Sequence, residues 1–417
     1  MSSAVLIGLA ILASRSGQIS PHERELFDKT AGLYIQRESW TEPLAYLHGH
    51  FLMVPLHVAM YRNDEVWRDK YEEHFARLVA SEPSTWCKNP LSRAQYLYLA
   101  TRYLALCAEL DYESPIADKL EPILTREVVE QWTSDEAIMW ERPPFAGVRA
   151  RLDYKMSLLS PKKSYFRAVT DEEFFHFAEA ADLLRYRQHK GIRGSEDATL
   201  REMVSYAVRT VRLDGERTRE GGWLYQVGVW RDHPDNNYSA QTEIRPGMAK
   251  GAKDDVTMDS SHFHRFSLFF KSLADGSNGS DKKLFEDARA GLAQQLRKVV
   301  LKPPTSDFKA YRLTNYMNGW NGVYRFSSNA AVGEGKGYGP YQLSGTFLLG
   351  WWSFLGDSEV QSAYSEMARA FPLGETVLQT YLGPTYGPPP RAARSWYENG
   401  LAELLSSLAS KVPASKQ

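Results

Sequence analysis

Apolar and polar positions along this chain repeat with the period of an α-helix, and the helical stretches follow one another in pairs. Residues 21–38 read as the first helix: Pro21 after Ser20 is a start signal, and Leu26, Gly32 and Leu33 are spaced among arginine, glutamate and lysine. Residues 42–62 are more apolar and hold His48, His50 and His57, after which Asp64 caps a charged helix carrying Trp67, Tyr71 and Phe75. The same pairing of a buried helix with an outer one recurs in 91–110, apolar on most sides, and 116–132, with acids and bases on its far face. After the Pro-Pro break at Pro143 the pattern predicts helices over 171–186, 198–211, 261–273, 282–300, 343–355, 358–370 and 392–408. No run of alternating strands competes.

Helical hairpins set about a common axis make an all-α fold, an α/α toroid forming a complete or incomplete barrel whose loops gather at one mouth and line a groove. A superhelical solenoid would share the hairpins but should repeat in sequence, and no period is visible. Residues 21–417 are therefore expected to form a single toroid domain. Residues 1–20 read either as a signal peptide or as a first helix: the run at 4–13 (AVLIGLAILA) has the length of a signal-peptide core and is too short to span a bilayer, but no lysine or arginine precedes it. The first reading implies a periplasmic or secreted protein and the second a cytoplasmic one. No other segment reads as membrane-spanning.

Composition narrows the partners. A formal net charge of −1 provides no basic field for nucleic acid. Cys87 and Cys107 make neither a zinc cluster nor a disulfide framework. Aromatic residues reach 12%, which suits a sugar-binding groove as well as a packed core. The intervals 223–255 and 311–341 are long and rich in Gly, Asn, Tyr and Trp, as functional loops are.

Candidate chemistry concentrates in 254–270, DDVTMDSSHFHRFSLFF, where Asp259, Ser260 and Ser261 are competent helix caps. On a helical wheel Phe263, Phe266, Phe269 and Phe270 share one face, His262 and Arg265 lie at its edge, and His264 points away with Lys271. His262 is thus the better site candidate, and His264 reads as a solvated or packing residue. A second polar cluster from Arg231 (RDHPDNNYSAQTEIRPG) supplies His233, Asp235, Asn236 and Asn237, although on composition alone a plain surface loop is the preferred reading. A third from Tyr311 interleaves Tyr316, Tyr324, Tyr338 and Tyr341 with Asn315, Asn318 and Asn321, and adds Trp320 and Arg325. Its glycines at 333–339 lack the GK[ST] ending and strand context of a phosphate loop.

Histidine, arginine, asparagine and tyrosine without an obvious carboxylate pair suit β-elimination of a uronic-acid polymer. The C5 proton of a uronate becomes removable once its carboxylate is neutralised, and a tyrosine or histidine can take that proton and protonate the leaving oxygen. DSSHFHRF resembles the D-[ST]-S-H-x-x-R pattern of alginate-lyase-like and heparinase-like polysaccharide lyases with α/α toroid folds. LHGHFLMVPLHVAMY and GYGPYQLSGTFLLGWW are similar to flanking segments of the same group. The resemblance implies catalytic roles for His262, with Arg265 nearby, and for Tyr324, with Tyr316 and Tyr338 behind it. Asn236 and Asn237 would fill the asparagine role, while Trp320, Tyr338, Tyr316 and Arg325 would bind an acidic polysaccharide or oligosaccharide. No cofactor or metal is implied, since the i, i+2 pairs His48/His50 and His262/His264 diverge on a helix. Glu42, His48 and His50 could face the same mouth, although helix packing is the plainer reading of both histidines. The rival expectations are a toroid glycoside hydrolase using two of Glu141, Asp235, Asp255 and Asp259, and a non-catalytic glycan-binding toroid.

Overall fold

The computed structural model describes residues 18–41, 45–81, 86–328, 333–384 and 391–413, with side chains from 394 in the last segment. Among them are sixteen α-helices and three antiparallel two-stranded pairs: Glu136–Ala137 with Phe145–Ala146, Gly215–Arg217 with Trp223–Tyr225, and Leu301–Lys302 with Arg312–Leu313. The fold is all-α. The apolar run at 4–13 and Glu42 lie outside the described residues. No helix among the described residues is long and apolar enough to cross a membrane.

Local signals account for most helix starts. Ser20 and Glu23 form a reciprocal capping box ahead of Pro21–Lys29, and Asn89 and Ser114 cap the helices that Pro90 and Pro115 begin. Five predicted helices are interrupted. The 21–38 pattern divides at Thr30 into Pro21–Lys29 and Ala31–Ile35, and 261–273 divides at His264 and Arg265 into Ser260–Phe263 and Phe266–Asp275. Residues 282–300 form the helix Gly279–Gln295 followed by a π turn, Leu296–Val300. Residues 343–355 form two 3-10 turns, Ser344–Leu349 and Trp351–Leu355, because Gly350 between them sits at φ 83°, where a right-handed helix cannot continue. Gly400 at φ 98° divides 392–408 into Arg391–Glu398 and Leu401–Ala409 in the same way. The helix Gly147–Ser157 carries no apolar stripe to announce it, because two of its buried positions are Arg151 and Lys155.

The inner elements are neighbours in succession. Ala45–Tyr61 packs on Pro90–Glu109, which packs on Asp171–Lys190, which packs on Phe266–Asp275, which packs on the turn Trp351–Leu355. Leu401–Ala409 then touches both that turn and Ala45–Tyr61. More polar helices, among them Glu65–Ser81, Pro115–Thr133, Glu196–Asp214, Gly279–Gln295 and Ser358–Arg369, lie against this inner set. Contact between the first two inner helices is close enough to require glycine: a Cβ on Gly49 would come within 2.7 Å of the Gln95 carbonyl oxygen.

Two buried arginines set the direction of these helices. Arg102, fully buried in Pro90–Glu109, donates to Asp182 at 2.7 Å, Glu109 at 3.0 Å, His57 Nε2 at 3.2 Å and Ser272 at 3.3 Å, joining four inner helices in their C-terminal halves. Arg265, also buried, donates to His50 Nε2 at 3.1 Å and to Tyr46, and is ion-paired with Asp171. Those partners lie in the first two turns of Ala45–Tyr61 and at the first residue of Asp171–Lys190. The three helices joined at both ends therefore run parallel, with their N-termini gathered at one end of the molecule. A buried cluster supports the same end: Glu173 caps Thr170 and takes Lys155 Nζ at 2.5 Å and Arg151 Nε at 2.9 Å.

Two stability outcomes follow from these charges. Arg102→Met leaves Asp182 buried and unpaired, and should lower the unfolding free energy in urea titrations by about 3–5 kcal/mol. Burial alone would raise the Glu173 carboxyl, but Arg151 and Lys155 outweigh it and hold it below the ordinary range. A depressed folded value contributes stability above the unfolded value of about 4.3 and loses it as pH falls toward the folded one. Glu173→Gln should therefore melt lower at neutral pH and show a shallower loss of Tm on acidification than the unsubstituted protein.

Candidate functional site

The start of Asp171–Lys190 and the short helix Ser260–Phe263 open onto a cleft with two lobes. One is a cavity of about 210 Å³ lined by Trp140, Trp230, His233, Asp235, Asp259, His262, Tyr324 and Arg325, with Thr170 and Asp171 at its edge. The other, of about 320 Å³, is lined by Tyr338, Tyr381, Trp396 and Tyr397, and Tyr324 and Arg325 belong to both.

Asp259 organises the histidine. As the cap of Ser260–Phe263 it accepts the main-chain N–H groups of Ser261 at 3.0 Å and His262 at 3.1 Å. The same carboxylate lies 2.8 and 2.9 Å from His262 Nδ1. A carboxylate held ionised can only accept, so Nδ1 carries a proton and, in the neutral ring, Nε2 presents a lone pair. Burial opposes ionisation of Asp259, but His262 and the hydroxyl of Ser261 outweigh it and hold the carboxyl well below its usual range. The helix cap and the histidine orienter are thus one residue.

Arg265 and His264 are placed otherwise than the wheel predicts, because the helix breaks between Phe263 and Phe266. Arg265 turns inward to Tyr46, His50 and Asp171 and is absent from the cavity lining. His264 is buried between His50 and Trp351, its ring 5.6 Å from each, and burial pushes its imidazole down to about 3. It is a packing residue and does not point to solvent. His48 and His50 are likewise buried within their helix, as the packing reading expects.

Tyr324 is buried by most of its ring, edge-on to Tyr316 at 6.1 Å, with the Arg325 guanidinium 5.1 Å from its centroid. Burial, with Asp259 nearby, raises its phenol well above the ordinary value, so it stays protonated. Arg325 donates Nε to Asp235 at 2.9 Å, and among the described residues none accepts from its two terminal nitrogens.

The other expected binding residues divide sharply. Tyr338 lines the second lobe. Asn236 lines the first, but its amide oxygen accepts from Tyr316 Oη at 2.9 Å and its nitrogen donates to the Trp230 carbonyl at 3.0 Å. Tyr316 is fully buried, and its hydroxyl reaches Val323 O as well as Asn236. Trp320 Nε1 donates to Ser239 O at 2.6 Å, and the ring carries Lys253 Nζ 4.5 Å from its centroid. Neither Trp320 nor Asn237 is in the lining of either lobe. The remaining asparagines are scaffold: Asn315 donates to Gly322 O and Gly339 O, Asn318 to Asp255 O, and Asn321 accepts from Asn315 and Tyr341 main chain. Asn315 and Asn321 brace their own loop, whereas Asn318, with the Tyr316–Asn236 and Trp320–Ser239 bonds, staples it to the loop around Trp230.

The aromatic wall Trp140 and Trp230, set edge to face at 6.0 Å, was not visible in the sequence. Trp140 lies far along the chain from the three polar clusters, in a short strand-linked turn where only the neighbouring Glu141 drew notice in the sequence.

No family model, curated protein or solved structure matches this chain.

The two arginines should behave differently on substitution. Arg265→Met leaves Asp171 uncompensated in the interior and should cost about 3–5 kcal/mol in urea unfolding. Arg325 is partly exposed, so Arg325→Met should cost roughly 1 kcal/mol by the same measurement.

Proposed function

We propose that the protein is a polysaccharide lyase that cleaves a uronic-acid-containing polymer, alginate- or glucuronan-like, by β-elimination, on an α/α toroid of the alginate-lyase-like and heparinase-like kind. The observation that carries this reading is the Asp259–His262 pair, which presents Nε2 as an acceptor to a cavity that a protonated tyrosine and an arginine also line. The toroid is supported by the circuit of inner helices and by the helices that flank them.

In this mechanism His262 Nε2 removes the C5 proton of the uronate while Asp259 compensates the charge formed on the ring. The electron pair of the broken C5–H bond forms the C4–C5 double bond, and the C4–O bond breaks with its pair remaining on oxygen. Tyr324 protonates that oxygen and is left as a phenolate beside Arg325. Proton return from His262 to Tyr324 through solvent resets the site. Arg325, and not Arg265, is the arginine available to the substrate; Arg265 is a positioning residue that ties the His262 segment to two inner helices.

Hydrolysis by paired carboxylates is less well supported. It needs one carboxyl kept protonated as the acid, whereas Asp259 is held ionised and Asp171 and Asp235 are each ion-paired with an arginine. Glu141 is exposed and paired with Lys163, and Asp255 is exposed and lies outside both lobes.

Incubation with polymannuronate, glucuronan and glycosaminoglycans, followed by ultraviolet absorbance of the unsaturated product, should give a signal on at least one polymer. His262→Gln and Tyr324→Phe should each lower kcat by about 10²–10⁴-fold. Cleavage read as new reducing ends, without unsaturated product, that survives in both variants and is lost in Glu141→Gln or Asp235→Asn would establish hydrolysis instead. Absence of product on every polymer would favour a binding protein or a hydrolase.

A further inference from the structure

The first lobe contains a second histidine, His233, whose environment is the converse of that of His262. The main-chain N–H of Asp235 donates to His233 Nδ1 at 3.3 Å. A main-chain N–H cannot accept, so Nδ1 is the unprotonated nitrogen and the proton of the neutral ring sits on Nε2. The Asp235 carboxylate is 3.7 Å from Nδ1, beyond hydrogen-bond reach, and does not reverse this assignment. Three aromatic rings hold the imidazole in place, Tyr165 at 4.8 Å and Trp140 and Trp230 each at 5.5 Å, all close to edge-on. The cavity therefore holds one imidazole that accepts through Nε2 and one that donates through it.

Asp235 also fixes the arginine. Its Oδ2 takes Arg325 Nε, its main-chain oxygen takes the Arg325 N–H at 2.8 Å, and its Oδ1 takes Ser328 Oγ at 2.7 Å. With Nε occupied, the donors Arg325 has left are on its terminal nitrogens. One residue thus orients two donors that line the same cavity, and it does so without using either group's outward-facing N–H.

We propose that Asp235 assembles Arg325 and His233 into the receptor for the substrate carboxylate, Arg325 supplying charge and His233 an uncharged Nε2–H donor. This deepens the elimination reading and rests on it for the substrate class. Division of labour follows: His233 and Arg325 neutralise the carboxylate and acidify C5, while His262 takes the proton. Asp235 is a positioning residue, and His233 becomes a substrate-contacting one that neither its spacing nor its surroundings in the sequence distinguished.

The tautomers are read first, from long-range proton–nitrogen NMR correlations of the imidazoles in the full-length protein. The proposal expects protonated Nε2 on His233 and protonated Nδ1 on His262; a His233 ring protonated on Nδ1 overturns it. Binding is read next by calorimetry in a Tyr324→Phe background, which slows turnover, using oligomannuronate and oligoglucuronate alongside their carboxyl-reduced counterparts. The expectation is that at least one acidic oligosaccharide binds about tenfold or more tightly than its reduced form, and that adding Arg325→Met or His233→Phe removes most of that preference. Arg325→Lys should restore part of it, whereas a merely structural role would leave the ratio between the two ligands unchanged. Equal affinity for acidic and reduced forms, a preference surviving both substitutions in folded protein, or no binding of any of these sugars overturns the carboxylate receptor. Preference for the acidic form without unsaturated product from the unsubstituted protein would retain the receptor and remove the elimination chemistry.

Discussion

Burial of guanidinium groups is the constraint on which this molecule turns. A fully buried arginine has too many donors to be left unpaired, and each neighbouring helix must present an acceptor at the right height along its axis. Arg102 imposes that condition on four inner helices toward their C-terminal ends, and Arg265 imposes it again toward the N-terminal ends of two of them. Apolar packing would tolerate several registers of these helices; two sets of charge-assisted bonds tolerate one. The same register brings the starts of the inner helices to a single face, where the cleft lies.

That face is held by residues with double duties. Asp259 begins a helix and fixes the tautomer of His262; Asp235 fixes Arg325 and His233; Asn236 joins Tyr316 to Trp230. Preorganisation of this kind lowers the cost of aligning groups at the moment of reaction. It also explains why so many polar residues in the two loops have no freedom to meet a ligand. Their bonding capacity is spent on one another.

The helical character, the inner and outer pairing and the cluster around His262 were legible because each is written in local spacing. Apolar period, prolines after serine or asparagine, and Asp259 ahead of a phenylalanine face are all short-range signals. What could not be read were consequences of position in three dimensions. The wheel placed His264 outward and Arg265 at the site because it assumed an unbroken helix, and the break at those two residues reverses both. Asn236 and Asn237 were expected to meet the substrate, yet Asn236 is spent on Tyr316 and Trp230 and Asn237 lies outside both lobes, since composition does not distinguish an amide that meets a sugar from one that meets a carbonyl. Trp140, His233 and Arg325 came into the cavity from three separate segments, and only the tertiary fold brings them together.

The bonds between the two loops, Trp320 to Ser239, Asn318 to Asp255, Tyr316 to Asn236 and Arg325 to Asp235, each cross a long interval of chain. Between the loops lies the Phe266–Asp275 helix, which must dock among its inner neighbours before the loops can meet. The cleft therefore depends on contacts distant in sequence, although each loop also has bonds of its own, such as Ala240 N–H to Gly251 O and the Asn315 amide to Gly322 O. Its amides should open to solvent together and not loop by loop, as one cooperative unit whose stability is borrowed from the helices beneath it.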